Sequence, residues 1–158
     1  MTKKTLWVAI MACGTLGVVN AQNSTETVNL VNNVYVNDMG EAFYGDIVSY
    51  YNNNAVESTC EVAEGKRNGS AVFYYETGAK KETGNYVNGL KEGQWIMYDQ
   101  NGNKTSEAWF KNDLKNGDWK IWDSNGVLRY EMHYKNGEKT GLWIMRDDKG
   151  SIVSQKQY

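Results

Sequence analysis

Cysteine and histidine are scarce in this sequence, and their scarcity excludes several classes of protein. The 158 residues contain two cysteines and one histidine. Only Cys60 remains if residues 1–21 are removed, and one thiol cannot form an internal disulfide. A disulfide-stapled scaffold is therefore excluded. The ligand spacing of a zinc site is also lacking, as are a phosphate-binding loop and a serine-nucleophile motif.

The chain also lacks a large excess of charge of either sign. The net charge is −2, and the lysines and arginines are scattered along the chain, which argues against a nucleic-acid partner. Proline is absent, while glycine is frequent and falls at fixed places, as turn residues do. Eleven tyrosines and six tryptophans offset the low hydrophobicity elsewhere and indicate an ordered chain.

The sequence also lacks helical periodicity and has a longer repeat period instead. The stretch from Gly93 to Asn116, GQWIMYDQNGNKTSEAWFKNDLKN, returns from Gly117 to Thr140 as GDWKIWDSNGVLRYEMHYKNGEKT. A period of 24 residues, kept without insertion, is typical of a repeat array. The repeated columns include three tryptophans, three other aromatic residues and two turn glycines: Trp95, Trp119, Trp143; Tyr86, Phe110, Tyr134; Gly102, Gly126.

Each repeat has the pattern of one β-hairpin. Leu128, Tyr130, Met132 and Tyr134 alternate with polar residues, as a half-buried antiparallel strand requires. Asp-x-Asn-Gly before such a strand fits a type I turn with glycine in the left-handed position. We therefore predict an all-β fold, an elongated single-layer antiparallel meander with units starting near residues 45, 69, 93, 117 and 141.

The segments before the repeats have separate predictions. Residues 22–33, rich in asparagine, serine and threonine, are expected to be a weakly ordered lead-in to an array over 34–158. Val34–Val36 is predicted to be the first strand of the sheet, and Asn37–Gly40 its turn.

The N-terminus has the layout of a secretory signal peptide. Lys3 and Lys4 precede an apolar run over 5–19, and Val19 and Ala21 supply the small residues of a cut after Ala21. The run is shorter than the ~20 residues of a membrane span. A signal peptide over 1–21 predicts a secreted or periplasmic protein. The alternative is a lipoprotein anchored through Cys13, which ends a lipobox-like sequence.

The repeat resembles the MORN (membrane occupation and recognition nexus) class. It is most similar to the bacterial variant whose members are often labelled YwqK-type antitoxins. The matching motifs are Gly-x-Trp-x-x-Tyr at 93–98, Gly-x-Trp-x-x-Trp at 117–122, and Tyr-x-Asn-Gly-x-x-x-Gly at 86–93 and 134–141. The resemblance implies an elongated β array used as an interaction surface, and the label implies a cytoplasmic toxin as partner. The mildly acidic array gives no sign of binding anionic membranes.

Several polar residues recur with the period and are candidates for catalytic or metal-binding groups. Asp99, Asp123 and Asp147 could line a calcium site, but their place at the first turn position favours capping of the turn. Glu107 and Glu131 could act as general acid and base across neighbouring hairpins, although columns of surface residues explain them more simply. His133 should face outward. Cys60 fits a small, partly buried residue better than a nucleophile. No catalytic, metal or cofactor residue is therefore predicted.

An aromatic row provides the functional hypothesis. Tyr74, Tyr98 and Trp122 should lie on the face opposite the column tryptophans. Exposed rings in a row can anchor a protein or stack on sugars, whereas packing against one another would make them structural. The leading prediction is an exported, non-enzymatic repeat protein that binds an unidentified protein. The alternatives are a glycan-binding module that takes a polysaccharide, an antitoxin kept in the cytoplasm, and, least favoured, a hydrolase with dispersed acidic residues.

Overall fold

The fold is that of a computed structural model, which describes residues 6–7 and 27–158. All regular structure in this part is β-strand, and the strands join one sheet in the order β13 to β4, followed by β1, β2 and β3. The strands are β1 (Leu6–Trp7), β2 (Thr27–Val31), β3 (Val34–Val36), β4 (Gly45–Tyr50), β5 (Val56–Ala63), β6 (Lys66–Tyr74), β7 (Lys80–Val87), β8 (Leu90–Tyr98), β9 (Lys104–Lys111), β10 (Leu114–Trp122), β11 (Leu128–Lys135), β12 (Glu138–Arg146) and β13 (Ile152–Gln157).

Ten strands, β4 to β13, lie side by side in chain order and pair antiparallel throughout. The sheet does not close on itself. This arrangement confirms the predicted antiparallel meander of hairpins. One period comprises a strand of nine residues, a five-residue loop, a strand of eight residues and a two-residue loop, as in β8 and β9.

The two kinds of loop both reverse the chain through residues with positive φ, but they use different residues. In the long loop Gly102 has a φ of 86°, and its N–H donates to the Asp99 carbonyl at 3.1 Å. In the short loops both residues have positive φ, as with Asn136 (50°) and Gly137 (88°). Two consecutive left-handed residues form the type I′ turn that matches the twist of an antiparallel pair. The long loops therefore lie at one end of the strands and the short loops at the other.

A kink inside each nine-residue strand brings side chains four residues apart together. Gly117 has a φ of 108°, and around it the four steps from Lys115 to Trp119 on β10 lie opposite only two steps on β9, from Phe110 to Ala108. In an unbroken strand, residues four apart are separated by roughly 13 Å. The kink shortens this distance, and glycine is needed because side chains rarely adopt this φ. Lys115 and Trp119 thus become neighbours on one face.

The lead-in prediction is wrong for residues 27–33. Thr27–Val31 forms β2, which pairs with β3 through the turn at Asn32 and Asn33, so Val34–Val36 is not the first strand. The asparagines that suggested weak order are turn residues with φ of 49° and 64°. Val28 is 1% exposed. The predicted turn at 37–40 is present, closed by a hydrogen bond from the Asn37 N–H to the Glu41 carbonyl.

The core lies at the N-terminal end of the array. Val28, Tyr35 and Phe43 pack on one face of the first strands, and backbone hydrogen bonds join Tyr35 and Phe43 to Gly65. The sheet side of this cluster comes from Ile47, Cys60, Val62, Ala71, Tyr86 and Trp95. The signal peptide, its cut after Ala21 and Cys13 fall in residues 1–26, where only Leu6–Trp7 is described, so these predictions lie outside the described residues.

Candidate functional site

One face of the sheet carries a continuous ladder of aromatic rings, and we call it the ring face. From Trp95 onward the column tryptophans alternate with the other aromatic column, because the two columns lie on neighbouring strands. Each ring packs edge-on or tilted against the next. The centroid distances are 6.4 Å for Trp95–Phe110, 5.4 Å for Phe110–Trp119, 5.4 Å for Trp119–Tyr134, 5.2 Å for Tyr134–Trp143 and 4.8 Å for Trp143–Tyr158.

A column of lysines, which was not predicted from the sequence, lies over this ladder. The Nζ atoms of Lys91, Lys115 and Lys139 lie 3.7, 4.1 and 4.6 Å from the ring centroids of the tryptophans four residues later. Cations at such distances are attracted to the negative faces of aromatic rings. The signal was visible, because these lysines are 24 residues apart and Arg67 begins the same column. The kink that brings each lysine onto its ring could not be predicted from the sequence.

The ladder is buried at one end and open at the other. Trp95 is 1% exposed, Trp119 and Trp143 are half-buried, and Tyr158 is 41% exposed. Trp95 lies between the smallest neighbours, Gly84 and Ala108, whereas the equivalent neighbours of Trp143 are Met132 and Lys156. The N-terminal residues of the core cover only the first strands. We call the ring face of β9 to β13 the open ring face.

The predicted aromatic row occupies the opposite face. Tyr74, Tyr98 and Trp122 are each half-buried and lie at the long-loop ends of β6, β8 and β10. Since two strand spacings separate them, about 9–10 Å, their rings do not stack on one another. The Nζ of Lys104 lies 4.2 Å from the Trp122 ring centroid. The proposed role of this row in binding stays a prediction.

Paired charges fill the rest of the opposite face. Glu107 and Glu131 are both opposite Lys120, one from each side, so two strand spacings separate them as well. Lys104 Nζ lies 2.9 Å from Glu107 Oε2, and Arg146 contacts Glu131. The hydrogen bond from Lys104 holds the pKa of Glu107 below its usual value. Each carboxylate is thus engaged with a cation, and the lowered pKa of Glu107 is the opposite of what a general acid requires.

The recurrent aspartates cap their turns. Asp99 Oδ1 accepts the N–H groups of Asn101 and Asn103, both at 2.9 Å. Asp123 and Asp147 make the same pair of bonds in their own loops. The hydrogen bonds from Asn103, side chain first and then backbone, lower the pKa of Asp99. No group of metal-ligating side chains is present in residues 27–158.

Cys60 and His133 provide no reactive site. Cys60 is 3% exposed, and burial raises the pKa of its thiol to about 11, so the nucleophilic thiolate is suppressed. His133 is half-buried on the face opposite the rings, with Nδ1 2.7 Å from Asp118 Oδ1. Nor does the described part of the chain contain a helix with the length and apolarity that crossing a membrane requires.

Comparison with protein families finds a match to part of the repeat array. Residues 67–88, 91–112 and 115–136 each match the model of the MORN repeat variant, in tandem and in the register of the 24-residue period. The predicted units near 45 and 141 fall outside these matches. Repeats of this type are generally interaction modules without catalytic activity. No curated protein matches the chain significantly.

Proposed function

We propose that this chain is an exported, non-enzymatic repeat protein whose sheet surface binds another protein. The observation that carries this proposal is the open ring face. Half-buried and exposed aromatic residues from Trp119 to Tyr158 form a continuous surface that nothing in residues 27–158 covers. Aromatic rings provide large contact areas at low conformational cost, and they dominate the binding energy of protein interfaces. The tandem MORN repeat variant supports the same class of function.

The decisive experiment is cross-linked affinity purification of the tagged full-length chain from cells that express it naturally. We expect a partner to be recovered in near-stoichiometric amount with the wild type and lost with the double variant Trp143→Ala/Tyr158→Ala. The matched control is Trp109→Ala, which removes a ring that is 42% exposed on the opposite face. Loss of the partner with the control alone would place binding on the other face. Recovery of no partner would contradict the proposal.

Export rests on the N-terminal sequence and has its own test. The hydrogen bonds that join Tyr35 and Phe43 to Gly65 lie beyond Ala21, so the β2–β3 hairpin would keep its attachment after cleavage. Mass spectrometry of the native protein should find an N-terminus at Gln22. A diacylated Cys13 would identify a lipoprotein. An intact Met1 in the soluble fraction would favour the antitoxin alternative, with a cytoplasmic toxin as partner.

The second candidate function is glycan binding, and the aromatic row on the opposite face favours it. Tyr74, Tyr98 and Trp122 are spaced by two strands and half-exposed, so separate sugar rings could stack on them. Polysaccharide pull-down tests this alternative. Retention that Tyr98→Ala and Trp122→Ala abolish, and that Trp143→Ala leaves unchanged, would establish it.

A further inference from the structure

We infer that the open ring face binds an acidic polypeptide segment whose carboxylates meet Lys115, Lys139 and Lys156 while its apolar side chains cover the rings between them. This inference deepens the proposed function and rests on it, since it names the binding face and the chemistry of the partner. It places the partner on the face opposite Tyr74, Tyr98 and Trp122.

The first support is the one-sided distribution of charge. The register of β9 to β13 puts Lys115, Lys139 and Lys156 on the open ring face and puts no aspartate or glutamate there. Every acidic residue of these five strands faces the other way or lies at a turn: Glu107, Asp118, Glu131, Glu138. A chain with net charge −2 therefore presents a locally cationic surface.

The second support is that the cations of this face are unpaired where the face is open. In the buried part, Lys91 Nζ lies 2.7 Å from Glu82 Oε1. The positions 24 and 48 residues after Glu82 are Ser106 and Tyr130, so the carboxylate is missing from the later repeats. Within the described residues, Lys115, Lys139 and Lys156 have no carboxylate within salt-bridge distance. An external acidic group can take the place that Glu82 occupies.

The third support is the apolar character between the lysines. Tyr130 and Met145 are each 38% exposed and share this face with the half-buried Ile121 and Met132. At the other end of the same face, the chain's own Val28, Tyr35 and Phe43 provide the cover. That cover is polypeptide with apolar side chains. A polypeptide segment of the same kind would also fit the open ring face. A second copy of this chain would not, because it would bring the same lysines face to face.

The spacing specifies the segment further. Lys115 and Lys139 are two strands apart, roughly 9–10 Å across the sheet. Their ammonium groups lie over rings, at 4.8 Å from the Tyr134 centroid and 5.0 Å from the Tyr158 centroid, which limits where they can move. A segment in the polyproline II conformation that crosses the strands advances ~3.1 Å per residue with about three residues per turn, so residues three apart lie on the same side of it. We therefore expect acidic residues three apart, with aromatic or aliphatic residues between them.

Selection from a phage library of random 16-residue peptides tests the inference on the full-length chain. We expect the enriched peptides to be acidic and to carry aspartate or glutamate at intervals of three. The test variant is Lys115→Met/Lys139→Met, which removes both charges and keeps side chains that pack on the rings. The matched control is Lys111→Met/Lys135→Met, also 24 residues apart but on the opposite face. Circular dichroism verifies that both variants fold.

The inference predicts that the test variant enriches no acidic peptides and that the control enriches the same peptides as the wild type. An enriched peptide, labelled and measured by fluorescence anisotropy, should bind the test variant about tenfold more weakly and the control unchanged. Acidic enrichment that survives in the test variant, or a neutral or basic pool from the wild type, would overturn the inference and leave protein binding intact. Absence of any enriched peptide would remove both.

Two other anionic ligands serve as outcomes of the same test. Polygalacturonate and vesicles of phosphatidylserine and phosphatidylcholine carry negative charge without side chains that fit between the rings. If either binds with the same dependence on Lys115 and Lys139 while no peptide is enriched, the assignment of a polypeptide partner is wrong.

Discussion

At the scale of single residues, burial of the Cys60 thiol predicts that it reacts slowly with alkylating reagents. Its pKa is raised to about 11 by burial, ahead of the opposing influence of Arg67. We expect iodoacetamide at pH 8 to leave Cys60 unmodified in the folded protein and to alkylate it fully in guanidinium chloride, as read by intact mass. Arg67→Met should not restore reactivity, because Arg67 lowers the pKa of the thiol and its removal would raise that pKa further. Rapid alkylation of the native protein would show that the strand pair around Cys60 opens easily.

The turn aspartates predict a dependence of stability on acid. The pKa of Asp99 is lowered in the folded state, so this carboxylate contributes stability that is complete above its ordinary pKa and disappears as the pH falls through the folded value. Asp99→Asn keeps an oxygen acceptor but cannot titrate. We expect its melting temperature to fall less than that of the wild type between pH 6 and pH 3. Asp148→Asn, at an exposed turn position, is the control and should follow the wild type.

Gly84 is needed for a reason unrelated to its backbone angles. A Cβ built at this position would overlap the Trp95 indole ring, which lies flat against the glycine. We expect Gly84→Ala to lower the free energy of unfolding by ~1–3 kcal/mol, the usual cost of overpacking. Urea unfolding followed by circular dichroism would measure it. Asn85→Ala, one residue later and exposed, should change little, and equal costs for the two variants would contradict this account.

At the scale of the hairpin, tryptophans at equivalent repeat positions contribute different amounts to the free energy of unfolding. Trp95 is enclosed by Gly84, Ala108 and the rings of Tyr86 and Phe110, and Trp143 is half-buried. We expect Trp95→Ala to cost ~3–5 kcal/mol and Trp143→Ala ~1–2 kcal/mol in urea unfolding. Trp109→Ala, on the opposite face, should cost less than ~0.5 kcal/mol. Equal costs for Trp95 and Trp143 would mean that the open end is covered in solution.

The hairpin is also the scale at which the sequence predicted most. The strict spacing of Gly102 and Gly126, with an aspartate three residues before each, predicted the positions of the long turns and the meander order together, because those features depend on local residues. The sequence did not predict β2, since its turn consists of asparagines without glycine. Nor did it predict the contact between Lys115 and Trp119. That contact depends on a kink that only the pairing of β10 with β9 defines.

For the molecule as a whole, the gradient of burial along the ring face predicts a gradient of stability. An array in which each hairpin contacts only its neighbours behaves as a chain of coupled units, and units with weaker contacts open first. The strongest contacts lie in the core around Trp95, and all of β13 is exposed. Hydrogen exchange read by mass spectrometry should therefore be slowest in β5 to β8 and progressively faster toward β13.

Two variants make this expectation specific. Trp143→Ala should accelerate exchange in β11 to β13 and leave β5 to β8 unchanged, because it weakens only the outer contacts. Trp95→Ala should accelerate exchange in every strand, because the outer hairpins depend on the core that it disrupts. Uniform protection in the wild type, or a loss of protection in β5 to β8 with Trp143→Ala, would mean that the array unfolds as one cooperative unit. In that case a partner bound at the open ring face would stabilise the whole sheet instead of its outer hairpins alone.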